Sequence, residues 1–379
     1  MMAKNSFLRS LLANISKIRK RANFTETQLE EQLILGPGWI NRFECGDTIP
    51  SIDMLLAIIK ETNSSIPDLL DGLPPLGASP VERSIFAEED CGDLIIHFTY
   101  ADHDATFRLK RATLGQYELV IKALRDGLSR LVSSESQAIK TDSVAMAFLK
   151  AVEVWPHANP SDIWWFIIYR AYCDPYNHPA QFARLNFDQS WKRTGGWALE
   201  EILVRYYGSF LKQNGINILI ADAPTKRELV AKLSFSDRIE ADKIDVVLTG
   251  DTRRGTRFFG VVHVKASFAE RRTDDVPMSN ALSKAGYTSP LWTMDCKSMP
   301  GPNPVNKGEL GDIDSNRSAK RKDIEDEGYF TGCFSYNQNT LPSNSGHPEL
   351  RRVYVCDFRS PDDAFSRFLI KRWRAFQLT

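Results

Sequence analysis

The segment DRIEADKIDVVLTG (residues 237–250), followed by FFGVVHVKASFAERRTDD (residues 258–275), decides the fold of this 379-residue chain. Both contain runs rich in valine, which predict two buried strands. Asp245 interrupts the first run, where a carboxylate is costly unless it is bound to something, and a metal ion is the natural candidate. In the second run, His263 and Lys265 are two residues apart, so a strand places both side chains on one face.

The regions on either side of these strands complete the predicted core. Upstream, GGWALEEILVRYYGSFL (residues 195–211) is an amphipathic helix in which Glu200 or Glu201 is able to reach the end of the adjacent strand. INILIA (residues 216–221) and RRVYVCDF (residues 351–358) predict further strands. Helices followed by paired strands indicate an α/β or α+β core.

The order of helix glutamate, strand aspartate and strand lysine resembles the PD-(D/E)XK nuclease core. On that resemblance, Asp245 binds Mg²⁺, Lys265 polarises the attacking water or the phosphate, and Glu200 is an auxiliary acid and metal ligand from the preceding helix. Residues 141–379 as a whole look like the catalytic region of a type II restriction endonuclease, with the ApaLI-like group as the nearest. The resemblance implies cleavage of phosphodiester bonds, for which a carboxylate-held divalent cation supplies the nucleophile and neutralises charge.

One position departs from the pattern of that family. His263 stands two residues before the lysine, where most members have an acid, and histidine is a poor ligand for Mg²⁺. Glu270, Asp274 and Asp275 are candidates for the missing carboxylate, and Glu270 is preferred because it lies closest to the end of the strand. The standard acid-x-lysine form recurs at residues 295–297, where Asp295 and Lys297 are an alternative strand for the site or a second part of it.

The amino-terminal part has a different character. Thr25 and Gln28 have capping-box spacing, and the short helix that follows the next turn directs Ile40 and Phe43 inward. The stretch from residue 18 to residue 70 resembles the phage-repressor type of helix-turn-helix. Its second helix leaves three side chains outward as candidates for DNA contact in the major groove, namely Trp39, Asn41 and Arg42. The alternative is a helical bundle used only for packing or dimerisation.

Linker segments that interrupt regular secondary structure predict three domains. A helix-turn-helix DNA-binding domain covers residues 1–75 and ends in the linker LPPLGASP (residues 73–80), whose prolines and glycine stop a helix. A small accessory module of one hairpin and one helix covers residues 76–140. The catalytic domain covers residues 141–379. The predicted fold class is therefore an α/β (α+β), restriction-endonuclease-like core with an all-α domain before it.

The resemblance implies a Mg²⁺-dependent, sequence-specific endonuclease of double-stranded DNA within a restriction-modification system. A homodimer follows for a palindromic target, because two sites related by a two-fold axis match two antiparallel strands. A cognate DNA methyltransferase would protect the same site and need not bind the enzyme. Basic side chains of the carboxy-terminal half are candidates for phosphate or guanine contacts, namely Arg271, Arg272, Lys320, Arg321 and Lys322.

Two other functions fit parts of the same sequence. The first is a transcription regulator whose carboxy-terminal part is a non-catalytic sensor or dimerisation domain. The second is a nuclease that cuts only modified DNA.

Composition excludes several classes of protein. Lys plus Arg and Asp plus Glu both number 48, so DNA has to be held by local patches rather than by net charge. The 6 cysteines include no CxxC pair, which excludes a zinc module or disulfide scaffold. P-loop, GxSxG and HExxH elements are missing from the sequence, which therefore lacks the usual signatures of nucleotide, serine and zincin hydrolases. No apolar run approaches the roughly 18 residues that cross a bilayer, which predicts a cytoplasmic protein without membrane association.

Overall fold

The structure is a computed structural model that describes residues 6–45, 47–71, 85–100, 103–130, 137–171, 187–233, 239–253, 255–267, 272–296, 306–313 and 317–378. Its helices are α1 (Ser6–Arg21), α2 (Glu26–Gln32), α3 (Trp39–Cys45), α4 (Ile52–Glu61), α5 (Ile66–Leu70), α6 (Leu114–Leu128), α7 (Gln137–Val154), α8 (Pro160–Trp164), α9 (Phe187–Gln213), α10 (Ala223–Ala231), α11 (Arg272–Lys284), α12 (Ala319–Glu325) and α13 (Ala364–Phe376). Its strands are β1 (Ile85–Asp90), β2 (Asp93–Tyr100), β3 (His103–Leu109), β4 (Ile216–Leu219), β5 (Val246–Thr252), β6 (Gly255–Lys265), β7 (Leu291–Thr293), β8 (Cys333–Ser335) and β9 (Val353–Val355).

Contacts divide the chain into two compact units, Met1–Arg83 and Ser84–Thr379, which we call unit 1 and unit 2. In the described part of unit 1, α1 to α5 pack around a small apolar core that includes Ile40 and Phe43. Thr25 caps α2 through its hydroxyl, and the side chain of Gln28 accepts a hydrogen bond from the Thr25 backbone N–H. The predicted capping box and the inward direction of Ile40 and Phe43 are confirmed.

A six-stranded mixed sheet in the order β4-β5-β6-β7-β8-β9 organises unit 2. The first three strands are antiparallel neighbours, and β6, β7, β8 and β9 run parallel. Lys265 pairs in register with Thr293, and Thr293 pairs with Ser335. The carboxyl ends of three parallel strands therefore lie at one edge of the sheet.

Both faces of the sheet are buried, and alternate residues of a strand face opposite sides. Val262 and Val264 join the large core, to which α7, α9 and α13 also contribute. Val261 joins a second cluster on the other face, where it packs with Met278 and Leu282 of α11. The predicted α/β (α+β) class is confirmed, since helices cover a central mixed sheet.

The three-stranded sheet β1-β2-β3 and α6 do not form a separate module. Their apolar side chains, such as Ile96 and Val120, belong to the same core cluster as Phe148 of α7 and Trp165 of the π-helical turn Trp165–Ala171. The structure differs here from the division predicted at residues 76–140. It also contains β1, which the sequence did not suggest because IFAEED carries three acids in six residues.

No helix within the described ranges combines the length and the apolar character needed to span a bilayer.

Candidate active site

Asp245 lies immediately before β5, between Ile244 and Val246, both buried. Its carboxylate is itself 7% exposed, so it needs bonded partners to offset the cost of burial. The backbone N–H of Val264 donates to Asp245 Oδ2 at 2.8 Å, and Lys265 Nζ donates to the same oxygen at 2.6 Å. The aspartate thereby ties the start of β5 to the end of β6.

His263 and Lys265 emerge from β6 on the face opposite to Val262 and Val264, as the two-residue period predicts. Both side chains are buried, with His263 1% and Lys265 9% exposed. The prediction that they share one face is confirmed.

Asp275 completes the cluster from α11, on the same face of the sheet. It occupies positions i, i+3 and i+7 together with Met278 and Leu282, so one side of the helix carries all three toward the sheet. Asp275 is 1% exposed, and its carboxylate lies 3.5 Å from His263 Nδ1 and 3.4 Å from Lys265 Nζ. Potential ligand atoms of Asp245, His263 and Asp275 all lie within 4.8 Å of one another.

Two serines form hydrogen bonds next to this cluster. His263 Nε2 and Ser289 Oγ are 2.9 Å apart, and Ser289 Oγ is 2.8 Å from Ser279 Oγ of α11. Gly260 makes this possible, since a Cβ there would lie 1.9 Å from the carbonyl oxygen of Thr288. The backbone before Ser289 therefore approaches β6 closely enough to bring Ser289 beside the histidine.

The charges of the cluster act on the ionisation of Asp275. Burial would raise the pKa of this carboxyl, but the neighbouring His263 ring and Lys265 ammonium outweigh burial and lower the pKa below its ordinary value. Asp275 is therefore ionised at neutral pH. Its Oδ2 atom, like Nδ1 of His263, is buried without a hydrogen bond among the described residues.

Glu200 does not join this cluster of ligand atoms. It is 8% exposed on α9 and lines a cavity of about 400 Å³ together with Trp197 and Thr141. The neighbouring Glu201 pairs with Arg205 at 2.9 Å. The predicted role of Glu200 as a metal ligand beside Asp245 stays a prediction.

Several predicted residues lie outside the described residues, namely Glu270, Arg271 and Lys297. Arg272 and Asp274 belong to α11, but their side chains are also outside the description. Asp275, one of the two alternatives to Glu270, is the acid that the structure brings to Lys265. Its helical spacing with Met278 and Leu282 places it on the side of α11 that faces the sheet. Ranking the candidate acids by their distance along the chain from the strand does not reveal this.

Asp295 is occupied by structural bonds instead of facing Lys265. The backbone N–H groups of Glu309 and Leu310 and the hydroxyl of Thr340 donate to its carboxylate at 2.7, 3.2 and 2.6 Å. Burial raises the pKa of Asp295 to about 6 despite these bonds. The alternative site at residues 295–297 is not supported by this arrangement.

The three basic residues of α12 differ in placement. Arg321 is 0% exposed and pairs with Glu325 at 2.7 Å, so its side chain is structural and the predicted DNA contact is not supported. Lys320 pairs with Glu309 at 2.5 Å, whereas Lys322 is exposed. In unit 1, Asn41 and Arg42 are exposed and Trp39 is 37% exposed, as predicted.

Comparison with known proteins identifies the class of this site. No family model matches the chain. The type II restriction enzyme AgeI of Thalassovita gelatinovora is 39% identical over 237 residues, which cover 60% of this chain and 83% of AgeI. The chain belongs to the type II restriction endonucleases. It is thus a site-specific deoxyribonuclease with a PD-(D/E)XK core, as the motif order suggested. The relative found is AgeI, whereas the sequence had suggested the ApaLI-like group.

Solved structures of such endonucleases are similar to the chain as well. The specific AgeI–DNA complex matches with a TM-score of 0.64 and 31% identity, over 76% of this chain and 99% of that one. The pre-specific BsaWI–DNA complex matches with a TM-score of 0.35 and 16% identity, over 69% of this chain and 94% of that one. Restriction endonucleases of this kind generally use divalent metal ions, and the cluster at Asp245 has the composition of such a site.

Proposed function

We propose that Asp245, Asp275 and Lys265 form the catalytic centre of this endonuclease and that the two carboxylates hold Mg²⁺. The observation that carries the proposal is that carboxylates from the start of β5 and from α11 converge on Lys265 at the end of β6. Asp245 Oδ2 lies 2.6 Å and Asp275 Oδ2 lies 3.4 Å from Lys265 Nζ. The substrate is double-stranded DNA, which the similarity to AgeI solved in complex with DNA supports.

The chemistry of the site fits a hard divalent cation. Asp275 Oδ2 is buried, and among the described residues it has an ion-pair contact with Lys265 Nζ at 3.4 Å but no hydrogen bond, so it has lone pairs available for a cation. Carboxylate oxygens are the ligands that Mg²⁺ prefers. When bound, the ion supplies charge neutralisation at the phosphate and acidifies a water molecule.

Lys265 and His263 have separate roles in this proposal. Lys265 Nζ remains a donor between the two acids, where it orients the attacking water or a phosphate oxygen and stabilises the charge that develops there. His263 is a positioning residue, because Ser289 holds one ring nitrogen while the other lies beside Asp275. The family position that is usually acidic is thus a histidine, and the acid comes from α11.

The proposal is tested by incubating the purified chain with mixed-sequence DNA and Mg²⁺. Discrete fragments are expected with Mg²⁺, and intact DNA is expected when the metal is chelated. Cleavage that persists in full under chelation would contradict the metal assignment. Comparing methylated with unmethylated DNA decides between a conventional and a modification-dependent enzyme. Family membership supports the nuclease over the regulator with a non-catalytic carboxy-terminal part.

We also propose that unit 1 is a helix-turn-helix module that contacts DNA through α3. The outward side chains Trp39, Asn41 and Arg42 support this, and the Arg42 guanidinium lies over the Trp39 ring at 5.7 Å. The AgeI match spans 99% of that chain but leaves about a quarter of this one outside it, a share close in size to unit 1. Unit 1 is therefore interpreted as an addition to the nuclease core.

Arg42→Ala is expected to weaken DNA binding at low salt, because the substitution removes a cation that contacts phosphate or guanine. Affinity of the full chain should fall about tenfold on DNA that carries no cleavage site, measured by fluorescence anisotropy in the presence of chelator. Lys20→Ala, which removes an exposed charge at the end of α1, is the matched control. Unchanged affinity of Arg42→Ala would contradict the contact.

Two features of the biological assembly complete the proposal. A homodimer is proposed on DNA, because a palindromic target presents the same scissile bond on both strands. A cognate methyltransferase is proposed to protect the same sequence without binding the endonuclease.

A further inference from the structure

A cleft of about 610 Å³ with both polar and apolar walls lies in unit 2, outside the cluster around Lys265. Its walls are the turn after β3, the loop before α8 and the loop after β8. Polar and charged residues that line it include Lys110, Arg111, Asn159, Gln338 and Asn339. None of them has a role in the catalytic centre proposed above.

One wall of the cleft, the loop after β8, begins at the edge of the sheet that carries Lys265. Ser335 at the end of β8 is in register with Lys265 through Thr293, two strands away. Two inter-strand spacings correspond to about 10 Å, less than the roughly 12 Å width of a DNA major groove. A duplex with a phosphate at Lys265 would therefore be within reach of the loop that begins directly after Ser335.

That loop is held rigidly by buried polar groups. The side-chain nitrogen of Asn337 donates to the carbonyl oxygens of Asp295 and Asn306 at 3.0 and 3.2 Å. Asn159 donates to Asn337 Oδ1 at 3.0 Å, and Thr340 donates to Asp295. The network fixes the backbone on both sides of the loop tip, which is the kind of support that a recognition site requires.

Gln338 and Asn339 project from this platform and are exposed. One amide N–H of Gln338 donates to Ala158 O at 3.3 Å, and one of Asn339 donates to Asn306 O at 3.0 Å. Each amide retains a second N–H and a carbonyl oxygen that forms no hydrogen bond within the described residues. Such a donor and acceptor pair matches the edge of a base.

The opposite wall carries positive charge. Arg108 is neutralised by Asp90 and Asp93, at 2.6 and 3.2 Å. Lys110 and Arg111 are exposed and form no ion pair with any described residue. Arg111 has a φ of 55°, a left-handed conformation that an arginine adopts only at a cost. The backbone N–H of Arg111 donates to Asp93 Oδ1 at 3.0 Å, which holds the turn that presents both cations.

We propose that this cleft is a DNA-contact surface in which Lys110 and Arg111 hold a backbone phosphate and Gln338 and Asn339 read base edges of the target. The inference rests on the proposed function, because it places the scissile phosphate at Lys265. It assigns sequence discrimination to the loop after β8 and affinity to the turn after β3.

The phosphate contact is tested by the salt dependence of DNA binding under chelation. Lys110→Ala/Arg111→Asn, in which asparagine tolerates the left-handed conformation, is expected to lower the slope of log affinity against log salt by about 0.9, the value for one phosphate contact. The matched control is Lys122→Ala/Arg125→Ala on the exposed side of α6. A slope equal to that of the wild type would overturn the phosphate assignment.

The base contacts are tested by cleavage of a panel of sites that differ from the cognate sequence at single base pairs. Gln338→Ala/Asn339→Ala is expected to lose about 5- to 150-fold of discrimination at one or two positions, with the same fold stability. Unchanged discrimination at every position would overturn the proposal. If the wild type fails to cut DNA, the proposed function fails, whereas the salt-slope measurement still tests the cleft.

Discussion

Asp245→Asn and Lys265→Met are each expected to slow DNA cleavage by about 10³-fold or more while DNA binding under chelation changes by about threefold or less. Asparagine keeps the acceptor for the Val264 N–H but loses the charge that would hold the cation. Methionine keeps the length of the lysine but loses the donor that lies 2.6 Å from Asp245 and 3.4 Å from Asp275.

Single-turnover rates on DNA containing the cognate site measure this effect. Asp251→Asn is the matched control, because Asp251 is an exposed acid on β5 that bonds only to nearby polar groups in the described structure. Thermal unfolding of each variant separates a loss of chemistry from a loss of fold. Cutting at the wild-type rate by either site variant would refute the proposed centre.

Asp275→Asn is expected to reduce the cleavage rate by about 10²- to 10³-fold, whereas its neighbour Asp274→Asn retains most activity. The reason is position: Asp275 shares the sheet-facing side of α11 with Met278 and Leu282 and lies beside Lys265. Raising the Mg²⁺ concentration should partly restore Asp275→Asn, since one carboxylate ligand remains. The reverse ranking of the two variants would show that the second acid is not Asp275.

Local sequence patterns predicted much of the site. Alternation along β6 placed His263 and Lys265 on one face, and the apolar run around Asp245 located the first acid. The second acid was harder to predict because it depends on how α11 returns to the sheet. Helical spacing to Met278 identifies Asp275, but only once Met278 is known to pack against Val261.

Several features depend on tertiary contacts and could not be predicted from the sequence. The strands β7 and β8 span three residues each, too few for a periodic pattern to emerge, whereas β9 lies within the strand predicted at residues 351–358. Arg321 has the sequence of a surface cation but is buried because Glu325 lies one turn away and the carbonyl of Leu341 accepts from it. The hairpin of β2 and β3 looked independent because nothing in its own sequence shows that α7 would cover it.

The most direct test of the catalytic centre is a crystal structure of the full chain with a cognate duplex and Ca²⁺, which occupies such sites without requiring turnover. A cation is expected between the carboxylates of Asp245 and Asp275, at about 2.3–2.6 Å from an oxygen of each, with Lys265 Nζ directed at the scissile phosphate. An ion bound elsewhere, with these two acids still holding only Lys265 and His263, would contradict the assignment.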